Sequence, residues 1–281
     1  MALTGAVAAV RGAVAAVRGA AAALRGAIGF LSRIPVGGTE AGWEAFRRTP
    51  ATMPVVGYAL GALVALPIAV AVLAPVRVPS VTVAAAFVAW LYLVTGITHL
   101  DGVADLGDAA VVHGDADRRR EVLADPALGV GGVLGLALVI LGLATAATVI
   151  ADMARLSVVD AVVLVVVAEV GAKAAMATLV CVGDAAHEGL GSALTEPAGP
   201  GALVAVALAT GPALLLGWLA ARPDAVVFVA AVLVAAAGVA ALALAWATAR
   251  LGGVSGDVLG ATNEIARVAA LHAGVIAWTL S

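Results

Sequence analysis

Three aspartates and a histidine stand close together in one short segment, Thr95–Asp108, which directly follows an uncharged apolar run. If a helix begins near Asp101, its 3.6 residues per turn place Asp101, Asp105 and Asp108 on one narrow face. Like charges at this spacing repel each other and destabilise an isolated helix, so the pattern favours a counter-charge. Hard cations such as Mg²⁺ prefer carboxylate oxygens and substrate phosphates as ligands. The spacing alone is equally compatible with a solvated acidic face near the start of a helix.

The same segment has the groups that phosphoryl chemistry needs. Gly102 follows Asp101 and lacks a Cβ, so another backbone can approach the start of the helix, and that start favours an anion. A phosphate bridged to the carboxylates by Mg²⁺ satisfies both demands, which predicts phosphoryl-group transfer as the reaction class. An attacking hydroxyl also needs a proton acceptor. Asp108 and His99 are the two candidates, with Asp108 slightly favoured.

The composition places this segment in a membrane protein. Apolar residues make up 63% of the 281 residues, charged residues make up 12%, and the mean hydropathy is +1.13, whereas about 25% of the residues in a soluble domain are charged. The net charge of −3 and the lack of a large basic patch argue against a nucleic-acid partner. The single cysteine, Cys181, can form no intrachain disulfide. We expect an all-α, polytopic integral membrane protein whose main partner is the lipid bilayer.

Seven apolar runs are interpreted as membrane spans, which need about 20 residues each. They cover residues 55–74, 80–98, 129–151, 157–182, 201–220, 225–246 and 265–280. Before them, a near-repeat of seven residues places Arg11, Arg18 and Arg25 on one stripe, which predicts an N-terminal helix lying in the membrane interface. The sequence thus predicts an amphipathic segment over residues 1–50 and a single transmembrane helical domain over residues 51–281.

The basic residues predict the orientation, because cytoplasmic loops carry the excess of lysine and arginine. Counted by alternating sides, eleven arginines fall on the side of the N-terminus: Arg11, Arg18, Arg25, Arg33, Arg47, Arg48, Arg118, Arg119, Arg120, Arg250 and Arg267. Three fall on the other side: Arg77, Arg155 and Arg222. The N-terminus is therefore expected inside, together with three polar loops over residues 99–128, 183–200 and 247–264. This arrangement predicts an active site built from several loops at the cytoplasmic face of the cell membrane.

Two ionisable residues inside the fourth run suggest a different use of the fold. Glu169 and Lys173 lie four residues apart with the acid first, which is the favourable order for a helical ion pair. Ionisable side chains at membrane depth are often functional. The sequence leaves three interpretations open: a transport pathway, a contact with substrate, or a pair that neutralises itself inside the bundle.

Five segments occur in a fixed order between about Phe30 and Glu264: FLSRIPVG, THLDGVADLGDA, ADPALGVGGVLGL, HEGLG and GGVSGDVLGA. Together they resemble the cobalamin synthase family, the adenosylcobinamide-GDP ribazoletransferases. The resemblance implies Mg²⁺-dependent attack by a ribose hydroxyl of α-ribazole, or of its 5′-phosphate, on the cobinamide-linked phosphate of adenosylcobinamide-GDP, with release of GMP. It also implies roles for particular residues. Those expected to bind the metal are Asp101, Asp105 and Asp108, and the further site candidates are His99, Glu188, Asp257 and Lys173.

Three positions depart from the family pattern. Ile97 stands where a second glycine is frequent, Ala124 where a basic residue is frequent, and Lys173 where arginine is usual. Lysine keeps the charge but loses the planar fork that binds phosphate through two parallel hydrogen bonds. A CDP-alcohol phosphotransferase is the alternative enzyme, although its longer signature has an arginine after the alanine where this chain has Asp105 after Ala104. The oligomeric state stays open, with a homo-oligomer as one alternative.

Overall fold

The structure, a computed structural model, describes residues 2–219 and 225–280. Within these residues the chain is all-helical, as predicted, with no β-strand. The α-helices are α1 (Ala2–Leu31), α2 (Glu40–Arg47), α3 (Thr52–Val64), α4 (Leu66–Leu73), α5 (Ser80–Thr95), α6 (Thr98–Val111), α7 (Ala116–Leu123), α8 (Val130–Leu156), α9 (Val158–Val182), α10 (Leu190–Thr195), α11 (Leu203–Thr210), α12 (Ala213–Leu216), α13 (Ala225–Leu251) and α14 (Gly256–Thr279). Two short 3-10 helices, Pro200–Ala202 and Gly217–Leu219, flank α11 and α12.

Several helical segments are long and apolar enough to cross a membrane. Five qualify individually: Arg11–Leu31, Thr52–Leu73, Val130–Leu156, Val158–Val182 and Ala225–Leu251. The pair α5 and α6 would be a sixth if it were one span, but the two helices are bent by 101° relative to each other. These segments support a multi-pass membrane protein, whereas the predicted count of about seven spans is not confirmed.

Three predicted segments differ from the structure. In the predicted span 201–220, residues 201–219 form short helices and residue 220 lies outside the described residues. The apolar stretch there, Pro200–Leu216, is below span length. The last helix begins at Gly256 rather than near residue 265, because the Ser255 hydroxyl caps it by accepting a hydrogen bond from the Val258 N–H. The predicted interfacial helix is not confirmed, since Arg11–Leu31 also has the length and composition of a span.

The longer α14 changes the orientation count. Arg267 lies in the middle of α14 and is only 1% exposed, so it does not belong to a cytoplasmic loop. Arg222, counted on the opposite side, lies outside the described residues. Without these two arginines the count is ten against two, and it predicts the same orientation.

The core is built around α9, which is buried along most of its length. Two glycines of α3 allow this helix to pack closely against it. A Cβ at Gly57 would lie 2.8 Å from Val170 Cα, and a Cβ at Gly61 would lie 2.6 Å from Val166 Cα. Small residues let helix backbones approach in a membrane, where packing and hydrogen bonds drive association. Because α13 and α14 also pack against α9, charged groups on α9 can meet α14 inside the bundle.

The three polar loops meet, as expected for loops on one side. An isolated parallel bridge joins Ala185 to Val254, and the Val254 N–H donates to the Asp184 carbonyl oxygen at 2.7 Å. The third loop joins them because Arg120 Nη1 donates to the Leu251 carbonyl oxygen at 2.7 Å. Residues far apart in sequence therefore form one polar region at the helix ends.

The bend between α5 and α6 turns at Gly96, whose φ of +81° lies in the left-handed region that glycine adopts without strain. With its 14 residues, α6 is too short to cross a bilayer alone. If α5 crosses the membrane, α6 runs nearly along its surface. The FLSRIP segment reaches the same bend, because the Arg33 N–H donates to the Val94 carbonyl oxygen at 2.8 Å.

Candidate active site

The aspartate stripe lies on α6 as its spacing predicts, although the helix begins before Asp101. Asp101 is exposed, whereas Asp105 and Asp108 are half-buried. Gly102 is so close to the start of α14 that a Cβ there would lie 2.6 Å from the Asp257 carbonyl oxygen. The missing Cβ therefore brings Asp257 beside the stripe. We call Asp101, Asp105, Asp108 and Asp257 the acidic cluster.

The carboxylates of the acidic cluster repel one another. Burial and the negative charges of Asp101, Asp257 and Asp108 raise the pKa of Asp105 to about 6. None of the ion pairs found within the described part of the chain includes a member of the cluster. The cluster thus has a concentration of negative charge that a divalent cation would neutralise.

The oxygen donors of the cluster fit Mg²⁺ bound together with a phosphate. Across residues 2–219 and 225–280, no three His, Cys, Asp or Glu side chains are arranged to hold a metal ion by themselves. Mg²⁺ usually keeps several waters and takes one or two carboxylates plus substrate phosphates. Asp101 and Asp105 offer such carboxylates, so the predicted metal site is chemically reasonable and stays a prediction.

Asp108 has a second task, which is to hold the start of α8. Its Oδ2 accepts a hydrogen bond from the Gly129 N–H at 2.7 Å, and its Oδ1 accepts one from the Gly132 N–H at 2.9 Å. N–H groups at a helix start have no partner within the helix, so a side chain must satisfy them. Each carboxylate oxygen has two acceptor sites, and one site on each remains for another ligand. Metal-binding carboxylates are commonly oriented by such outer hydrogen bonds.

Two cavities adjoin the acidic cluster. The first, of about 500 Å³, is here called the histidine cavity, and its lining includes Phe30, Thr98, His99, Asp101, His187 and Asp257. The second, of about 480 Å³, is called the stripe cavity, and its lining includes Thr98, Asp101, Asp105, Pro126 and Leu128. Thr98 and Asp101 line both cavities. The start of α6 therefore lies between two spaces that reach Asp101, Asp105 and Asp257, whereas Asp108 lines neither of them.

His99, predicted as a site residue, is held by α14. Its Nδ1 lies 3.0 Å from Asn263 Nδ2. The same Asn263 nitrogen donates to Glu264 Oε1 at 3.0 Å, and the Tyr92 hydroxyl donates to Glu264 Oε2 at 3.0 Å. Gly260 lies so near that a Cβ there would be 3.1 Å from His99 Cα. Sequence reasoning left Asn263 and Glu264 without a role, because no spacing rule connects them to a histidine on another helix.

Glu264 continues into a buried ion-pair network. Arg267 Nη1 lies 2.5 Å from Glu264 Oε2, and Arg267 also binds Glu169, whose carboxylate accepts a hydrogen bond from Lys173. The four side chains are each at most 1% exposed. Lys173 lines neither of the two cavities, so the structure does not bring this predicted binding residue to the site. Its contacts favour the interpretation in which Glu169 and Lys173 neutralise each other inside the bundle.

In the HEGLG segment, the histidine lines the histidine cavity and the glutamate does not. Glu188 is exposed and does not line the histidine cavity, whereas the neighbouring His187 does. His187 Nδ1 lies 2.8 Å from the Glu188 carbonyl oxygen, so the backbone of Glu188 orients that ring. The sequence contained both residues side by side, and only the path of the loop decides which of them faces the cavity.

The three arginines of α7 line neither cavity, and two of them support helix ends. Arg119 is buried and donates to the carbonyl oxygen of Ala109 in the last turn of α6. Arg120 donates to Leu251 at the end of α13. Cations at these positions satisfy free carbonyl groups and complement the helix dipole. Arg118 is exposed and pairs with an acid of its own helix.

Comparison with known proteins gives a consistent result. A sequence model of the family described as cobalamin-5-phosphate synthase matches residues 23–275. A relative from Halorubrum lacusprofundi, named adenosylcobinamide-GDP ribazoletransferase, is 61% identical and covers 90% of this chain and 96% of the relative. Relatives with the same name from Haloquadratum walsbyi and Methanococcoides burtonii are 47% and 32% identical, covering 90% and 89% of this chain and 96% and 90% of the respective relatives. No solved structure matches the chain.

The matched region includes α3 to α13, the acidic cluster and both cavities, and it ends inside α14. The chain therefore belongs to the cobalamin-5-phosphate synthase family.

Proposed function

We propose that the protein is an adenosylcobinamide-GDP ribazoletransferase, which joins adenosylcobinamide-GDP to α-ribazole, or to its 5′-phosphate, and releases GMP. The observation that carries the proposal is the position of the acidic cluster between two cavities, in a chain of this family. A reaction of two substrates needs a space for each beside the reacting phosphate. Thr98 and Asp101, which line both cavities, lie where the two substrates would meet.

The reaction is the transfer of a substituted phosphoryl group. A ribose hydroxyl oxygen of the acceptor forms a bond to the cobinamide-linked phosphorus. The bond from that phosphorus to the bridging oxygen breaks, and GMP leaves with this oxygen. The hydroxyl proton passes to a carboxylate of the acidic cluster, for which the sequence favours Asp108. Mg²⁺ held by the acidic cluster would neutralise charge on the phosphate during this displacement.

The residues of α6 have distinct tasks in this proposal. Asp101, Asp105 and Asp108 would hold Mg²⁺ on one face of the helix, and the two hydrogen bonds from α8 orient Asp108. Asp257 approaches the same phosphate region from α14, where Gly102 allows close contact. Rigid helices hold reacting groups more accurately than loops do, which suits a reaction governed by the positions of charge.

We place the reaction at the cytoplasmic face of the cell membrane. The excess of basic residues on the side of the polar loops supports this orientation. A transporter built on Glu169 and Lys173 receives no support from their contacts, because both are buried in ion pairs and line neither cavity of the site.

The nucleotide product tests the proposed function. Purified protein in detergent or in vesicles is given adenosylcobinamide-GDP and α-ribazole with Mg²⁺, and the products are separated by chromatography. We expect equal amounts of GMP and a corrinoid that contains the ribazole. A protein that instead consumes a CDP-linked alcohol and releases CMP would be a CDP-alcohol phosphotransferase, and the proposal would be wrong.

A further inference from the structure

The hydrogen bonds of Asn263 fix the orientation of its amide group. Its nitrogen Nδ2 has two hydrogens, and two acceptors stand 3.0 Å away: Glu264 Oε1 and His99 Nδ1. If the amide were reversed, its oxygen would face the Glu264 carboxylate and the bond to Glu264 would become a repulsion. Glu264 is ion-paired with Arg267, so it presents acceptor oxygens only. The orientation that makes both hydrogen bonds is therefore the stable one.

This orientation decides where the proton of His99 lies. Nδ1 accepts the hydrogen bond from Asn263, and a neutral imidazole has one acceptor and one donor nitrogen. The proton must then be on Nε2. The alternative, a hydrogen bond from Nδ1 to Glu264 Oε1, would have to span 3.7 Å, which is too long for a hydrogen bond.

The protonated nitrogen is the one that His99 can offer to a substrate. Nδ1 faces α14, where Asn263 occupies it, whereas Gly260 has no Cβ beside the ring and lines the histidine cavity. Nε2 makes no hydrogen bond to any described residue. His99 lines the histidine cavity beside Asp101 and Asp257. We propose that His99 Nε2–H donates a hydrogen bond to a phosphoryl oxygen of adenosylcobinamide-GDP, and that Asn263 and Glu264 are positioning residues that keep His99 in this tautomer.

A fixed hydrogen-bond donor at His99 Nε2 would offset the repulsion between the substrate phosphate and the acidic cluster. A phosphate beside four aspartates is repelled unless donors and a cation compensate, and a donor held before the substrate arrives requires no reorganisation during the reaction. The arginines of α7 line neither cavity, as described above. His99 acts here without giving up its proton, so it does not compete with the carboxylates for the proton of the attacking hydroxyl.

The buried network explains why the positioning is rigid. Glu264 is held by Tyr92 from α5 and by Arg267, which is itself bound to Glu169 on α9. These two contacts, both to Oε2, hold the carboxylate with Oε1 toward Asn263. The tautomer follows from these contacts alone, whereas the phosphoryl contact rests on the proposed transferase function.

The tautomer is tested directly by nuclear magnetic resonance of the full-length protein with ¹⁵N-labelled histidine. Among the signals of the four histidines, that of His99 is identified as the one that disappears in His99→Gln. At about pH 8, where ordinary histidines are neutral, we expect a protonated Nε2 and an unprotonated Nδ1 for His99. Asn263→Leu removes the donor to Nδ1 without adding a charge beside Glu264, and the preference for a protonated Nε2 should be lost. A protonated Nδ1 in the unaltered protein would overturn the inference, whether or not the protein has the proposed activity.

The phosphoryl contact is tested by kinetics. A glutamine side chain also carries an N–H donor, so we expect His99→Gln to keep about tenfold more kcat/KM for adenosylcobinamide-GDP than His99→Ala. We expect Asn263→Leu to lower the same kcat/KM by about tenfold, because Nε2 is no longer held as the donor nitrogen. Thr262→Val is the matched control, since the Thr262 hydroxyl bonds only within α14.

Equal losses in His99→Gln and His99→Ala would overturn the donor role and indicate proton transfer by the imidazole. If Asn263→Leu fails to fold, the comparison of the two His99 variants still tests the donor role. If the unaltered protein released no GMP, the proposed function would fail while the resonance experiment would still decide the tautomer.

Discussion

Oδ2 of Asp108 accepts a hydrogen bond from the Gly129 N–H at 2.7 Å, so the last acid of the α6 stripe also caps the start of α8. The Gly132 N–H binds the other carboxylate oxygen. Gly107 and Gly131 allow the two helices to approach this closely, since a Cβ at Gly107 would lie 2.6 Å from the Gly131 carbonyl oxygen. The proposed metal site and the helix packing therefore depend on the same side chain.

Substitution of Asp108 should separate these two tasks. Asp108→Asn keeps the shape and one acceptor oxygen, but its NH2 group faces the other backbone N–H. We therefore expect a loss of stability no larger than that of Asp108→Ala, together with at least a 100-fold loss of GMP release, because the charge is gone. Asp108→Ala should lose activity and also about 1 kcal/mol of stability, which is typical of a lost helix cap. Unfolding in detergent and the GMP assay measure both effects. Asp115→Ala, a cap on the exposed helix α7, is the control for capping alone. Full activity in Asp108→Asn would contradict the metal assignment.

Asp105 should make stability depend on pH. Its pKa in the folded protein is raised from 3.8 to about 6, so the folded state binds this proton more tightly than the unfolded state does. The resulting stabilisation is fully present below about pH 4 and is lost as the pH rises from about 4 to about 6. With a chelator present, Asp105→Asn should therefore raise the unfolding temperature at pH 8, by about 1–2 °C, and change it little at about pH 4.

The exposed carboxylate of Asp184 provides a control for the Asp105 experiment, because Asp184→Asn removes a charge without relieving the cluster. Added Mg²⁺ should raise the unfolding temperature of the unaltered protein by more than it raises that of the Asp105→Asn variant. An Asp105→Asn protein that is less stable than the unaltered one at pH 8 would show that repulsion within the cluster is unimportant.

Activity should fall when even a methyl group is added at Gly102. A methyl group there would overlap the Asp257 carbonyl oxygen at 2.6 Å, so α6 and α14 must move apart in Gly102→Ala. We expect at least a tenfold loss of kcat, since shifts of about 1 Å between reacting groups can lower rates by about 100-fold. In Gly238→Ala, nothing lies within 4 Å of the new Cβ, and activity should be retained. Equal activity in both variants would contradict the close contact of the two helices.

Substitution of Lys173 tests whether it forms a structural ion pair with Glu169 or contacts the substrate. In Lys173→Met, Glu169 retains Arg267 as a partner, so we expect a folded protein whose KM for adenosylcobinamide-GDP changes less than about threefold. Glu169→Leu removes the partner of Lys173 entirely, and leaving a buried charge unpaired is typically destabilising by about 3–5 kcal/mol. A large rise in KM without loss of stability in Lys173→Met would restore the predicted contact with substrate.

The sequence predicts the features that follow from local periodicity. The i, i+4, i+7 spacing places Asp101, Asp105 and Asp108 on one face whichever residue begins the helix. The alternation of apolar runs and polar loops likewise brings residues 183–200 and 247–264 to the same side. These properties require no knowledge of how the helices pack.

Properties that depend on packing between distant helices escape sequence reasoning. Arg267 follows a polar loop and resembles a loop residue, but the cap at Ser255 starts α14 early and carries Arg267 into the bundle. Asn263 meets His99 only because Gly260 lets α14 approach α6. Whether His187 or Glu188 lines the histidine cavity depends on the bridge between two loops, and the residue types themselves do not indicate it.

The most direct test of the central claim is GMP release by the unaltered protein and by Asp105→Asn, with adenosylcobinamide-GDP and α-ribazole present and Mg²⁺ added or withheld. The proposed function predicts GMP and a ribazole-containing corrinoid from the unaltered protein only when Mg²⁺ and both substrates are present, and neither product from correctly folded Asp105→Asn. Release of GMP by Asp105→Asn at the rate of the unaltered protein, or no release by the folded unaltered protein under complete conditions, would contradict it.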